Sequence, residues 1–289
     1  MLRIALPNKG RLSEDARDLF NQAGLDVLVR GDRALTASLG GEFEAIFVRA
    51  QDVPEFVADG AADAGITGYD LVSESGRDLE SLLDLEFGKC RIVVACREDA
   101  RITTIDDIVD DTRVATVFPA IAREFFANAG RKVQIVPISG AAEIAPHLGI
   151  ADVILDVTST GSTLKTNGLR EVATVMSSSA RLCSARCRAS TWTPEKVEVL
   201  DQLVGALASV IRARGKRYLM ANVPRASLAD VKKILPGITG PTVVDILNGG
   251  EFVAVHAVVR AESVYRTIAS LKELGGEGIL LTRIERLVP

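Results

Sequence analysis

EIAPHLGIADVILDVTSTGSTLKTNGL, residues 143–169, is the stretch on which the reading of this chain turns. Within it, residues 153–157 are apolar except for Asp156, which stands near the carboxyl end of the run. A short apolar run bounded by turn residues reads as a strand buried on both faces. Thr158, Ser159, Thr160, Gly161, Ser162 and Thr163 follow without interruption. In α/β folds, ligands bind in the loops beyond the carboxyl ends of the strands. Gly161 lets the backbone approach a ligand closely. Consecutive N–H groups and hydroxyls there can cradle phosphate oxygens. Asp156 can hold ribose hydroxyls or a magnesium-bound water. An ordinary Ser/Thr-rich surface turn has the same composition, so composition alone does not separate the two readings.

Outward from this loop the chain alternates short strands and helices. Strands are expected at 2–6, 44–48, 64–66, 91–96, 114–117, 134–136, 153–157 and 181–187. Helices are expected at 53–59, 120–129 and 141–148, with another that Ser13 caps and Gly24 stops. The longest helix is expected at 194–214, with Thr193 as cap and Pro194 at its first position. Such alternation implies parallel sheets covered by helices. After Gly215 the order changes to strand 217–223, helix 228–235, strands 242–245 and 252–259, helix 264–274 and strand 279–284. The middle strands are joined by an Asn248-Gly249-Gly250 hairpin turn. This βαββαβ order is ferredoxin-like.

Composition excludes several classes. The chain has 289 residues and is 47% hydrophobic, enough for a real core of two or three domains. Lys plus Arg is 34 against 38 Asp plus Glu, a net charge of -4. A dedicated nucleic-acid binder would show a basic excess. Four cysteines, Cys90, Cys96, Cys183 and Cys187, are too sparse for a disulfide scaffold, and no pair has zinc-ribbon or redox spacing. Cys183 and Cys187 alternate on the expected 181–187 strand and read as small buried residues. The two histidines, His147 and His256, offer no metal cluster or serine triad, and His147 reads as a surface or packing residue. No signal peptide and no membrane span are evident, so the expected location is the cytoplasm.

The loop is not a Walker motif. Its acid, hydroxyls and central glycine after a strand resemble the phosphoribosyl pyrophosphate loop of phosphoribosyltransferases. The ordered positions Glu143, Gly149, Ala151, Ile154, Asp156, Val157, Thr160, Gly161, Thr163 and Leu164 resemble the signature of one family, the ATP phosphoribosyltransferases. LPNKGRL at 6–12, DGAADAGITGYDL at 59–71 and FGKCRIVVA at 87–95 are similar to other segments of that family. The chain departs from it at Ala50, where the family usually has proline after arginine. The resemblance runs into the C-terminal region, which marks the long form.

What the resemblance implies is specific. The fold is a two-lobed, periplasmic-binding-protein-like catalytic core plus a ferredoxin-like (ACT-like) C-terminal domain. Residues 1–90 and 184–212 form the first lobe, 91–183 the second, and 213–289 a regulatory domain. The reaction is pentosyl transfer: adenine N1 of ATP attacks the anomeric carbon of phosphoribosyl pyrophosphate, and pyrophosphate leaves. No protein nucleophile is required. Glu143, Asp156, Thr158, Ser159, Thr160, Gly161, Ser162 and Thr163 are expected to hold phosphoribosyl pyrophosphate. Lys9, Arg11, Arg49, Thr67 and Gly68 are expected to meet ATP or pyrophosphate. Taken alone, Lys9 and Arg11 read as a solvated basic loop, and the resemblance turns them toward the phosphates. Asp70 is read as support at a helix start. Magnesium is expected largely on substrate oxygens, with no protein metal site. Histidine is the implied feedback inhibitor, near Asn222, Gly240 and Thr242, and dimers assembling into hexamers are implied. The competing reading is a two-lobed cytosolic small-anion sensor without turnover.

Overall fold

The computed structural model describes residues 1–29, 34–247 and 250–288. Contacts divide the chain into two units, Met1–Gly205 and Ala206–Pro289.

The first unit is built on two sheets. One has the order β2 (Leu28–Val29), β3 (Thr36–Ser38), β4 (Phe43–Val48), β1 (Leu2–Pro7), β5 (Ala64–Gly68), β12 (Ala180–Ala185), β6 (Leu79–Asp84). The other has the order β11 (Leu169–Ser178), β7 (Cys90–Arg97), β10 (Val153–Thr158), β8 (Arg113–Thr116), β9 (Gln134–Pro137). Helices α1 (Arg11–Gln22), α2 (Val53–Ala58) and α3 (Tyr69–Ser75) belong to the first lobe, α4 (Pro119–Asn128) and α5 (Ser162–Thr166) to the second. The short α6 (Arg188–Thr191) and the long α7 (Pro194–Ala213) follow β12.

The sheets are mixed rather than parallel. β1, β4 and β5 run parallel, as do β8, β9 and β10, but β12 is antiparallel to both neighbours and β7 is antiparallel to β10 and β11. These antiparallel strands are the ones on which the chain enters and leaves the second lobe. The return comes earlier than residue 184, because β12 joins the first sheet from Ala180. At the crossing, Ala180 N donates to the Phe87 carbonyl at 2.9 Å and Leu85 N to the Ala180 carbonyl at 3.0 Å. The two passes are therefore bonded side by side.

The apolar runs are explained by burial on both faces. Along β7, Ile92, Val94 and Cys96 enter one core with Val114, Phe126, Val153 and Leu155. Val93 and Ala95 enter the opposite core with Ala142, Ala145, Ile154, Leu164 and Leu169. Alternation then places Asp156 and Thr158 on the Ile154 face, under α5.

Several sequence expectations change. Helix α1 begins at Arg11 with Gly10 as its N-cap at φ 77°, so Ser13 lies buried inside the helix rather than capping it. The expected 141–148 helix is a single 3₁₀ turn, Ala142–Ile144. Ala141 enters it from the left-handed region at φ 51°, and Pro146 brings no N–H with which to continue it. β2, β3, β6 and β11 were not foreseen. Bulges in β11 at Glu171/Ala173 and Thr174/Met176 break the alternation that would have marked it. β12 ends at Ala185, so Cys187 is off the strand and exposed. Cys183 is buried, and burial pushes its thiol up to about 12.

In the second unit, β13 (Lys216–Pro224), α8 (Leu228–Ile234), β14 (Thr242–Asp245), β15 (Phe252–Arg260), α9 (Val264–Glu273) and β16 (Glu277–Arg283) form a sheet of order β14-β15-β13-β16. Neighbouring strands are antiparallel throughout. This is the ferredoxin-like arrangement. Leu219, Ala221, Val223, Val253, Val255 and Ala257 form its core with Val231 of α8 and Leu271 of α9. Asn248 and Gly249 of the expected hairpin turn lie outside the described residues. Among the described residues no helix is long and apolar enough to cross a membrane.

Candidate functional site

The loop after β10 is shaped from within by its own hydroxyls. Gly161 sits at φ 77°, ψ 0° as the N-cap of α5, a conformation that a side chain would strain. Its N–H donates to Thr158 Oγ1 at 2.9 Å. Thr158 is buried, so its hydroxyl braces the loop instead of facing a ligand. Ser159, Thr160, Ser162 and Thr163 are exposed, and the Thr160 and Ser162 hydroxyls lie 2.9 Å apart. The first-turn N–H groups of α5 have no intrahelical acceptors. Thus four exposed hydroxyls surround a turn whose Gly161 and Ser162 N–H groups are held by the Thr158 and Thr160 hydroxyls, at 2.9 and 3.4 Å.

Asp156 lies half-buried two residues before Thr158 and accepts from the Val157 N–H at 2.7 Å. Burial pushes its carboxyl pKa up. The Val157 bond opposes that, and the charge of Glu143 adds to it. The 3₁₀ turn therefore brings Glu143 within electrostatic reach of Asp156. His147 ties this segment to the loop helix by donating from Nε2 to the Asn167 carbonyl at 2.7 Å.

Ser159 also lines a cavity of about 390 Å³ with Asp84, Lys89, Cys90, Arg91, Ser177, Ser178, Ser179 and Arg181. Arg181 is held 3.0 Å from Asp84 and stacks 5.3 Å from the Tyr69 ring centroid. Arg91 makes a bidentate pair with Glu171, at 2.8 and 3.0 Å, and reaches Thr174 Oγ1 at 3.2 Å. That bonding, and then the Glu171 charge, raise the Arg91 pKa. Sequence reasoning overlooked Lys89, Arg91, Arg181 and Glu171. The signal present was the serine run at 177–179 beside an arginine-bearing strand.

The other expected residues divide. Lys9, Arg11 and Arg49 are exposed and have no ion-pair partner among the described residues, though they do not line the 390 Å³ cavity. Pro7 pairs with Val48, which puts the ends of β1 and β4 and the residues beyond them side by side. Arg11 opens α1 rather than lying in a loop, and the next residue, Leu12, packs close to Gly88. Thr67 is fully buried and donates its hydroxyl to the Ala50 carbonyl at 2.6 Å, so it braces the segment after Arg49 and offers no hydroxyl to a ligand. Gly68 is buried too, and any side chain there would collide with the Asp70 carboxylate. Asp70 is buried. Its N–H donates to Ser178 Oγ at 3.0 Å, and that hydroxyl donates to Asp70 Oδ1 at 2.7 Å, a bracing role.

In the second unit Asn222, Thr242 and His256 share the sheet face opposite the helices, since Asn222 pairs with Ala254 and Thr242 with His256. The Tyr218 hydroxyl is 2.8 Å from His256 Nδ1. Gly240 precedes β14 at φ 120°. Among the described residues no group of three or more His, Cys, Asp and Glu could hold a metal ion.

Comparison with known proteins agrees with this architecture. Residues 49–208 match the family model described as ATP phosphoribosyltransferase, and residues 213–286 match HisG, C-terminal domain. The ATP phosphoribosyltransferase of Gemmatimonas aurantiaca is 67% identical, with 100% of each chain covered. That of Haloarcula marismortui is 49% identical over 99% of this chain and 100% of its own. A solved chain from the Thermotoga maritima ATP phosphoribosyl transferase (HisG:HisZ) complex is 26% identical, with TM-score 0.61, covering 72% of this chain and 99% of that one. The chain belongs to the ATP phosphoribosyltransferase family, whose joining of ATP to phosphoribosyl pyrophosphate is the first step of histidine biosynthesis.

Proposed function

We propose that phosphoribosyl pyrophosphate binds on the loop after β10. The observation that carries this reading is the left-handed Gly161 turn, which Thr158 braces from inside while Ser159, Thr160, Ser162 and Thr163 stand exposed around it. The 5-phosphate is gripped by the Thr160, Ser162 and Thr163 hydroxyls and the first-turn amides of α5, with Ser159 at the rim. Asp156 and Glu143 accept from the ribose hydroxyls. Lys9, Arg11 and Arg49 neutralise the triphosphate or the departing pyrophosphate. Thr67 and Gly68 act from behind, keeping the ends of β4 and β5 together.

Pentosyl transfer builds positive charge on the ribose and negative charge on the leaving pyrophosphate. The protein's contribution is to hold two polyanions in line and to meet the leaving charge with cations. Hard oxygen donors suit magnesium, and Asp156 and Glu143, close enough to interact, are the carboxylates that would reach it through water or substrate. When bound, the ion supplies charge neutralisation on the pyrophosphate oxygens.

The same reading assigns residues 213–289 to regulation by histidine at Asn222, Gly240 and Thr242, and residues 1–90 and 180–212 to the first lobe, with the second between them. Assembly as dimers and hexamers in the cytoplasm belongs to it as well.

The test is to mix the purified chain with ATP, phosphoribosyl pyrophosphate and magnesium, and to measure pyrophosphate and phosphoribosyl-ATP together. Both products are expected in equal amounts. Gly161→Val should weaken phosphoribosyl pyrophosphate binding at least tenfold, and unchanged affinity would remove the loop from the site.

A further inference from the structure

The loop that grips the phosphate carries no cation of its own: from Thr158 to Leu164 every side chain is uncharged or absent. A dianion in such a turn is held by dipoles alone unless a charge approaches from a neighbouring strand. β7 supplies one. Arg91 pairs across to Thr158, the residue at the root of the loop, and so projects from the same sheet face. It lines the cavity that Ser159 also lines. Its guanidinium is taken up by Glu171 in a bidentate pair. Glu171 in turn lies directly against the turn: a Cβ built on Gly161 would stand 3.0 Å from Glu171 Oε1. The loop therefore has a carboxylate at its back and that carboxylate's own arginine beside it.

We propose that Arg91 is the cation of the phosphate loop and that Glu171 is its holding group, which gives up part of the guanidinium to the phosphate or pyrophosphate oxygens of an arriving ligand. The proposal rests on the loop being the anion site. A guanidinium presents five N–H donors in a planar fork, so Arg91 can turn one edge to a ligand oxygen while the other stays on Glu171. The pair is about one-third exposed, at 36% and 33%, and such pairs are held weakly enough to exchange partners. Without an anion, Glu171 keeps the guanidinium from leaving the loop or folding out into solvent. With one, it becomes a competitor.

Calorimetric titration with magnesium pyrophosphate and with phosphoribosyl pyrophosphate separates these roles, because it needs no turnover. Arg91→Ala should weaken both ligands at least tenfold, and Arg91→Lys should restore part of the loss while lacking the two-edged contact. Glu171→Gln keeps the shape and one acceptor but removes the competing charge, so binding should tighten several-fold. A merely structural ion pair predicts instead that Arg91→Ala and Glu171→Gln weaken binding alike, and that result overturns the proposal. So does unaltered affinity in Arg91→Ala. Gly161→Val distinguishes the levels of failure. If it abolishes binding while Arg91→Ala does not, the loop stands and Arg91 falls. If the wild-type chain binds neither ligand, both fall.

Discussion

Asp156 is placed where ionisation is costly, and that cost has a direction. Its carboxyl pKa is raised in the folded chain, first by burial and further by the Glu143 charge. Between the ordinary carboxyl value and the raised one, the folded state binds more protons than the unfolded state. Stability therefore falls as pH rises through that window, and at neutral pH the ionised Asp156 destabilises the ligand-free protein. Asp156→Asn should raise the Tm of the ligand-free chain at pH 7 by about 1–3 °C. The gain should shrink as the pH is lowered toward 4. The same variant should bind phosphoribosyl pyrophosphate about 10–100-fold less tightly, since a charged acceptor for ribose hydroxyls is lost. Thermal melts and titrations on one preparation test both halves, and a loss of stability together with unchanged affinity would remove Asp156 from the site. Residues of this kind were legible in the sequence, because an acid breaking an apolar strand needs a reason. Thr67 was not. A threonine offers a hydroxyl to a ligand or to its own fold equally well, and only the 2.6 Å bond to Ala50 decides.

Among elements, α3 and α4 show how the lobes of the catalytic core meet. Glu74, near the end of α3, accepts from the Ala120 N–H at 2.9 Å and from the Ile121 N–H at 3.0 Å, in the first turn of α4. Leu71 of α3 packs against the core that contains Phe118 and Phe126. A carboxylate on a helix N-terminus satisfies orphan donors and complements the helix dipole. Here the cap comes from the other lobe, so it also fastens one lobe to the other. Glu74→Ala should cost about 1–2 kcal/mol of stability, and Glu74→Gln, which keeps an acceptor, less. A shift in the urea midpoint at constant m-value measures it, and coincident curves would show the cap to be idle. No sequence pattern announces such a cap, because its residues are 46 and 47 positions apart. The elements that sequence did announce, such as β10, α7 and the whole βαββαβ tail, owe their pattern to local periodicity and to their own caps. The 141–148 segment misled because its apolar spacing suits a helix, while Pro146 and the left-handed Ala141 forbid one.

At the scale of the molecule, the proposed chemistry lies in the two lobes up to residue 212 and the proposed control in residues 213–289, while contacts divide the chain within α7, at Gly205/Ala206. Because Asn222 and Thr242 stand on the sheet face turned away from α8 and α9, truncating them leaves the core of that domain intact. Asn222→Ala and Thr242→Ala should therefore raise the histidine concentration needed for half-inhibition at least tenfold while leaving the uninhibited kcat within about twofold. Initial rates across a histidine series check this, and unchanged inhibition in both variants would place the effector elsewhere.

The position of β12 between β5 and β6 has a consequence for synthesis. Cys183 bonds to Gly65 across 118 residues, and β6 on the other side has also long since emerged. Until the chain has been made as far as Ala185, β5 keeps an open edge and β6, which joins the sheet through β12, waits without its strand partner while everything that forms the second lobe is translated. Open strand edges are templates for wrong pairing. The second lobe, whose strands β7 to β11 are contiguous in sequence, can fold in that interval and carry β12 back to β5 and β6 on the pass bonded to residues 85 and 87. The first lobe to be translated is thus the last to close, and nascent chains arrested between β6 and β12 are expected to be more prone to aggregation than chains arrested after Ala185, which a pelleting assay on arrested chains checks.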